Sequence, residues 1–295
     1  MPEPSSDPDA RSLRQLHAHH PRHWLENLYV YPVISRRSRG LSIGVNLNPD
    51  KACNFDCIYC QVDRTVPPTV RKVDPVRLRV ELESMIDLAV TGRLFEEDGF
   101  QNVPADHRQV RDIAFSGDGE PTASPHFPDA VALAAEVRRS RHLLDAQLRL
   151  ITDAAYLTRP AVRDALAVMH DNNGEIWAKL DAGTEEYYRL VNRPNVPLET
   201  VLANILDAAR QFNVVIQSLW MNIHDLPPPE PEIDAFADRL SAILAGGGRL
   251  RLVQVYTVAR QTAEPYASPL NDAQLQSIAE RVRSRVDVPI EVFGS

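Results

Sequence analysis

The chain has 295 residues, 44 % of them hydrophobic and 24 % charged, with a formal net charge of −8. A chain of this length buries roughly three quarters of its unfolded surface and needs no disulfides to hold a core, and its composition excludes a disordered or fibrous protein. The acidic balance argues against a broad nucleic-acid footprint, and no run reaches the roughly 18 apolar residues of a membrane span.

Residues 1–22 mix Pro, Ser, Asp and basic types without the apolar core of a signal peptide. They are expected to form a flexible arm ahead of one domain over 23–295. The expected location is the reducing cytoplasm, where cysteines serve as ligands or catalysts more often than as disulfides. His17, His19, His20 and His23 fall at the end of this arm and read either as a small metal cluster or as a solvated tail. Arg36, Arg37 and Arg39 come next, a run that suits a phosphate or carboxylate clamp or a solvated charge run.

Beyond them, strand-like and helix-like segments alternate. Strands rich in Val, Ile, Leu and aromatics are predicted over 41–47, 112–115, 147–151, 175–180, 214–219 and 249–255. Helices are predicted between them: one capped by Asp74, with Pro75 in its first turn, that stops at Gly92, then 127–141, and 158–170 with Thr158 as cap. A short helix beginning at Thr184 follows, then 197–212, 230–244 and 271–285, with 290–293 as one further strand. Repeated strand–helix units point to an α/β fold with a parallel sheet and right-handed crossovers.

All three cysteines of the chain lie within eight residues, as Cys53-x3-Cys57-x2-Cys60. Thiolates are soft ligands that favour iron–sulfur clusters, zinc or Cu(I). Three of them on one loop can hold three irons of a cubane and leave the fourth iron open. Structural zinc normally takes four closed ligands, and there is no fourth cysteine; zinc completed by a distant histidine, or three unconnected loop cysteines, are the alternatives. The loop follows a strand, and in α/β barrels active sites sit at the C-terminal ends of the parallel strands.

Cys53-x3-Cys57-x2-Cys60, with Tyr59 before the last cysteine, resembles the signature of the radical S-adenosylmethionine superfamily. Together with Ser116-Gly117-Asp118-Gly119-Glu120-Pro121-Thr122, Lys179-Leu180-Asp181-Ala182-Gly183 and residues 253–260, it is similar to a branch of iron–sulfur oxidoreductases related to the tRNA wyosine-synthesis (4-demethylwyosine synthase) enzymes. The resemblance spans roughly residues 40–260. It implies a partial (β/α)6 TIM-like barrel with parallel strands and a [4Fe–4S] cluster on Cys53, Cys57 and Cys60. It also implies S-adenosylmethionine bound at the open iron, reductive cleavage to a 5′-deoxyadenosyl radical, and hydrogen abstraction from a substrate.

The same resemblance nominates further residues. Gly117, Asp118, Gly119 and Glu120 look like the superfamily's glycine-rich element, which contacts the cofactor's amino group; of the two acids, Glu120 is expected to point inward. Thr152, followed by Asp153, corresponds to a strand-end Thr-Asn. Asp181 is placed for the cofactor ribose and Lys179 for the barrel interior, as the candidate catalytic residue. Strand alternation puts both on one face, so a buried ion pair between them is the competing reading. Arg193 is a candidate for the cofactor carboxylate. Gln217, Gln254 and Tyr256 are candidate contacts, because polar groups inside apolar strands need partners.

Two classes of function follow. One is a radical enzyme acting on a small molecule, nucleotide or peptide and reduced by a protein such as a flavodoxin or ferredoxin. The other is a metal- or cluster-binding sensor without radical chemistry. Within the enzyme class, tRNA modification of the wyosine type is the alternative. It is not favoured, because the chain is acidic and lacks the extra cysteines of a second cluster. No membrane partner is expected.

Overall fold

The computed structural model describes residues 24–294, so the arm expected over 1–22 and the four histidines lie outside the described residues. The strands are β1 Val30–Ser35, β2 Gly40–Val45, β3 Val110–Phe115, β4 Gln147–Thr152, β5 Gly174–Lys179, β6 Val214–Leu219, β7 Met221–Ile223, β8 Leu250–Tyr256, β9 Ala267–Pro269 and β10 Ile290–Phe293. Eight of them form one sheet in the order β1-β2-β3-β4-β5-β6-β8-β10, and β7 and β9 pair separately. Every neighbour from β2 to β10 is parallel. In this sheet only β1 runs antiparallel, zipped to β2 from Val30 opposite Val45 to Ser35 opposite Gly40. β1 was not anticipated: it contains Pro32, which reads as a strand breaker but is tolerated on a sheet edge, where no neighbour needs its missing N–H.

The crossovers are α1 Pro75–Val90, α2 Phe127–Ser140, α3 Pro160–Asp171, α4 Glu185–Asn192 with α5 Leu198–Gln211, α6 Glu230–Ala245 and α7 Asp272–Arg283. Asp74 caps α1 as expected, its carboxylate accepting from the Val76 and Arg77 N–H groups. Asn271 and Gln274 close a capping box on α7. Thr158 does not cap α3; its hydroxyl donates to Asn204 at 3.1 Å, and the α3 cap position falls to Arg159, whose side chain caps nothing. Among the described residues no helix is long and apolar enough to cross a membrane.

The sheet curls into a half-barrel. Alternate strand residues such as Ile43, Ile113, Leu148, Leu150, Ile176, Ile216 and Val253 are fully or almost fully buried in the hydrophobic core. Their neighbours turn the other way and line a cavity: Ser42, Asp112, Arg149, Trp177 and Gln217. The curl brings the two edges together at one point. Arg36, in the β1–β2 turn, donates to the Gly294 carbonyl, and Arg39 lies 3.6 Å from Glu291 of β10.

The N-terminal ends of the strands close the bottom of this cavity with charge. Asp112 accepts from the Ser42 hydroxyl and from Arg149, and Arg149 also bonds Ser38 and Gln147. Glu175 accepts from the Trp177 indole at 2.7 Å and from Arg251 at 2.6 Å. Buried charges survive only when paired and hydrogen-bonded; Asp112 is paired with the buried Arg149 and Glu175 with the exposed Arg251, while Arg149 Nε has no partner.

Candidate active site

Cys53, Cys57 and Cys60 are free thiols on the loop that leaves β2, and all three line one wall of the half-barrel cavity, whose volume is ≈ 320 Å³. The loop is pinned by backbone: Asp56 N–H donates to Asn192 O, Ile58 N–H to Val191 O at 2.9 Å, and Glu264 N–H back to Ile58 O at 3.0 Å. Phe55 meets Tyr188 edge-on, 5.7 Å between ring centres. The C-terminal end of α4 therefore fixes where the three sulfurs stand.

Among the described residues, nitrogen donors of Asn192 and Arg64 reach two of the sulfurs. Asn192 Nδ2 lies 3.5 Å from Cys57 Sγ and Arg64 Nη1 lies 3.2 Å from Cys60 Sγ. Burial pushes the Cys57 thiol up to about 11 against the opposing pull of Lys179, and pushes Cys53 up to about 12. Both are neutral thiols in the metal-free chain, so ligation must release protons.

The glycine-rich turn after β3 lies directly against the start of this loop. A Cβ on Gly119 would stand 2.0 Å from the Ala52 carbonyl oxygen, and one on Gly117 would stand 2.4 Å from Asn46 Oδ1. Only glycine permits that approach. Asn46 Nδ2 donates to Asp118 Oδ2 at 2.7 Å, and Asn46 Oδ1 accepts from the Asp118 N–H. Glu120 also reaches the cavity wall, but its carboxylate is occupied. It accepts from the Thr122 N–H, the Thr122 and Thr152 hydroxyls and the Asp153 N–H, the last at 2.8 Å. Asp153 lines the cavity too; its Oδ2 is buried without a partner, and burial followed by the nearby Glu120 raises its pKa.

Lys179 and Asp181 part company. Asp181 accepts from the Tyr59 hydroxyl, from Asn192 Nδ2 at 2.9 Å and from the Leu219 N–H at 2.8 Å, and it is not among the cavity-lining residues. It staples the cysteine loop to the ends of β5 and β6. Lys179 lines the cavity, its Nζ 4.5 Å from the Tyr59 ring centre, and it makes no ion pair among the described residues. Burial opposes its charge, yet Tyr256, Asp181 and the cysteines outweigh that and hold the ammonium above its ordinary range.

Arg193 lies away from the cavity. It sits at the left-handed end of α4, φ 42°, with its guanidinium 2.7 Å from Glu264 and 2.9 Å from the Tyr266 hydroxyl. Gln217 lines the cavity and donates to Gln254 at 3.0 Å, across the paired strands β6 and β8. Sequence reasoning missed Asn192 and Arg64, the two side chains directed at the sulfurs. Arg193 drew attention for its charge; nothing in the sequence says that the Asn192 amide, one position earlier, faces inward.

Three free thiols on the loop after the first parallel strand stand at the mouth of an open, mostly parallel α/β half-barrel, soft donors facing one cavity. The chain belongs to the radical SAM superfamily, whose family model matches residues 47–233. Among curated proteins, a "GTPase Obg" of Brachyspira hyodysenteriae is 22 % identical over 271 residues, covering 88 % of this chain and 34 % of that protein. A UPF0026 protein of Methanocaldococcus jannaschii is 31 % identical over 184 residues, 61 % of this chain and 48 % of that protein. The chain thus spans between a third and a half of the length of these relatives. Among solved structures, Streptococcus suis SuiB bound to S-adenosylmethionine matches with a TM-score of 0.59 at 12 % identity, over 88 % of this chain and 52 % of that one, a likeness of fold.

Proposed function

We propose that the chain is a radical enzyme that holds a [4Fe–4S] cluster on Cys53, Cys57 and Cys60 and acts on a substrate taken into the half-barrel. The observation that carries this is the placement of three unpaired thiols and the Gly117–Glu120 turn on the wall of one cavity. The donor set fits the group. Thiolates are the ordinary ligands of such clusters, and among the described residues no set of three or more His, Cys, Asp or Glu gathers tightly enough for a metal ion. A cubane takes one thiolate at each of three irons, so it asks for three spaced sulfurs instead of convergence on one point. When bound, the cluster and S-adenosylmethionine supply reductive cleavage of the sulfonium and a 5′-deoxyadenosyl radical that abstracts hydrogen.

The chain's own residues do the rest. Asn192 and Arg64 direct N–H groups at two of the sulfurs, the outer contacts that tune a cluster's potential. Gly117 and Gly119 keep backbone, not side chain, against the cysteine loop. Asp118, Thr152 and Gln217 line the cavity as candidate cofactor contacts. Lys179 brings a held positive charge to the interior, where it can orient an anion or return a proton. Asp181 and Arg193 serve this reading as braces, through Tyr59 and Glu264.

The test is anaerobic reconstitution with iron and sulfide, followed by dithionite and S-adenosylmethionine. Bound [4Fe–4S] by electron paramagnetic resonance, with 5′-deoxyadenosine and methionine by mass spectrometry, is the expected result. Cys57→Ala is expected to lose both. A Cys57→Ala protein that keeps its cluster and still releases 5′-deoxyadenosine would overturn the ligand assignment.

A further inference from the structure

Arg37, like Lys179, is a cavity cation that makes no ion pair among the described residues. Arg37 rises from the β1–β2 turn into the cavity, its guanidinium carbon 5.2 Å from the Trp177 ring centre and 5.0 Å from that of Tyr256. The aromatic faces favour a cation and hold its plane. Its Nη1 is sealed from solvent and has no hydrogen-bond partner, although buried donors are almost always satisfied. The acids nearby are already taken. Asp112 and Glu175 are matched by Arg149 and Arg251, which leaves the charge of Arg37 over.

The placement suits a substrate. On β5, Trp177 stands two residues, about 6.6 Å, below Lys179 on the same face, and Lys179 feels both Cys57 and Cys60. An anion seated on Arg37 leaves the remainder of a small molecule directed past Lys179 toward the cysteine loop. A planar guanidinium with parallel N–H groups matches the two oxygens of a carboxylate or phosphate.

We propose that Arg37 anchors the substrate through an oxyanion, so that the enzyme acts on a molecule bearing a carboxylate or phosphate. This rests on the enzyme reading above. Its test needs neither reductant nor turnover, so its failure is distinguishable from a failure to cleave S-adenosylmethionine.

The full chain, reconstituted and also as purified, is treated with phenylglyoxal in the presence of S-adenosylmethionine without reductant, and arginine modification is mapped by peptide mass spectrometry. Inorganic phosphate and acetate are the probes, chloride at equal ionic strength is the control, and the exposed Arg39 is the internal reference. Saturable protection of Arg37 by at least five-fold, with Arg39 unchanged, is expected, and the anion that saturates at the lower concentration names the source. Protection no better than chloride gives, or protection already complete with S-adenosylmethionine alone, overturns the proposal. Calorimetric titration gives an independent reading: Arg37→Gln is expected to weaken binding of the favoured anion at least ten-fold at an unchanged melting temperature. Equal affinity in a folded variant overturns it. If Arg37→Gln does not fold, protection in the unaltered chain decides.

Discussion

Asn192 Nδ2 lies 3.5 Å from the sulfur of Cys57 and 2.9 Å from the carboxylate of Asp181, so one amide couples the cysteine loop to the brace beneath it. Asn192→Ala removes a hydrogen bond to a sulfur and leaves a buried carboxylate short of a donor. The expected cost is about 1–3 kcal/mol of stability, and the midpoint potential of the reconstituted cluster falls, because donors to cluster sulfurs ease reduction. Denaturant titration and redox titration of variant and parent check the two effects separately. An unchanged potential with an intact cluster would show that the amide serves only Asp181.

Gly119 tests the contact between the glycine-rich turn and the loop. The new Cβ of Gly119→Ala would stand 2.0 Å from the Ala52 oxygen, so backbone must move. Overpacking of this type costs about 1–3 kcal/mol. The displacement falls on the residue before Cys53, so iron bound per chain after reconstitution is expected to drop together with the melting temperature.

Lys179 should affect chemistry more than folding. It contributes no ion pair among the described residues, only its approach to the Tyr59 ring at 4.5 Å. Lys179→Met keeps most of the side-chain volume and removes the charge. Iron content and slow substrate-free formation of 5′-deoxyadenosine are expected to stay within about two-fold of the parent, while substrate turnover falls by about 10²-fold or more, the usual scale for loss of a positioned acid–base group. Equal loss of both activities would place Lys179 in cofactor binding.

Asp234 governs acid sensitivity at the contact between α6 and α7. It is held by Arg281, Nη2 to Oδ2 2.7 Å, and by Arg285 at 3.1 Å, and its pKa is lowered chiefly by the hydrogen bonds from Arg281. A carboxyl depressed in the folded chain binds its proton less readily than in the unfolded one. Its contribution is therefore complete above the ordinary carboxylate range and is lost as pH falls through the folded value. Melting temperatures between pH 6 and 2 should decline more gently in Asp234→Asn than in the parent. Parallel curves would mean that the pair is idle.

The sequence alone determined the elements and the chemistry of the loop. Period-two apolar runs gave the parallel strands, and the limits of 214–219 and 290–293 agree with β6 and β10, the latter bounded by Pro289 and Gly294. The cysteine spacing and the superfamily it resembles were legible because thiol chemistry and local spacing are properties of one short stretch. Tertiary structure decided what each polar strand-end residue faces. Strand alternation predicts one face for Lys179 and Asp181, yet β5 ends at Lys179, so the first enters the cavity and the second turns under the loop, where Tyr59, Asn192 and Leu219 supply donors. Arg193 went to Glu264, and Arg37 went from a surface-like charge run into the barrel. Local patterns fix backbone and alternation, but the partner that satisfies a charge comes from a strand or loop far away in the chain, and only the curl of the sheet brings it within reach.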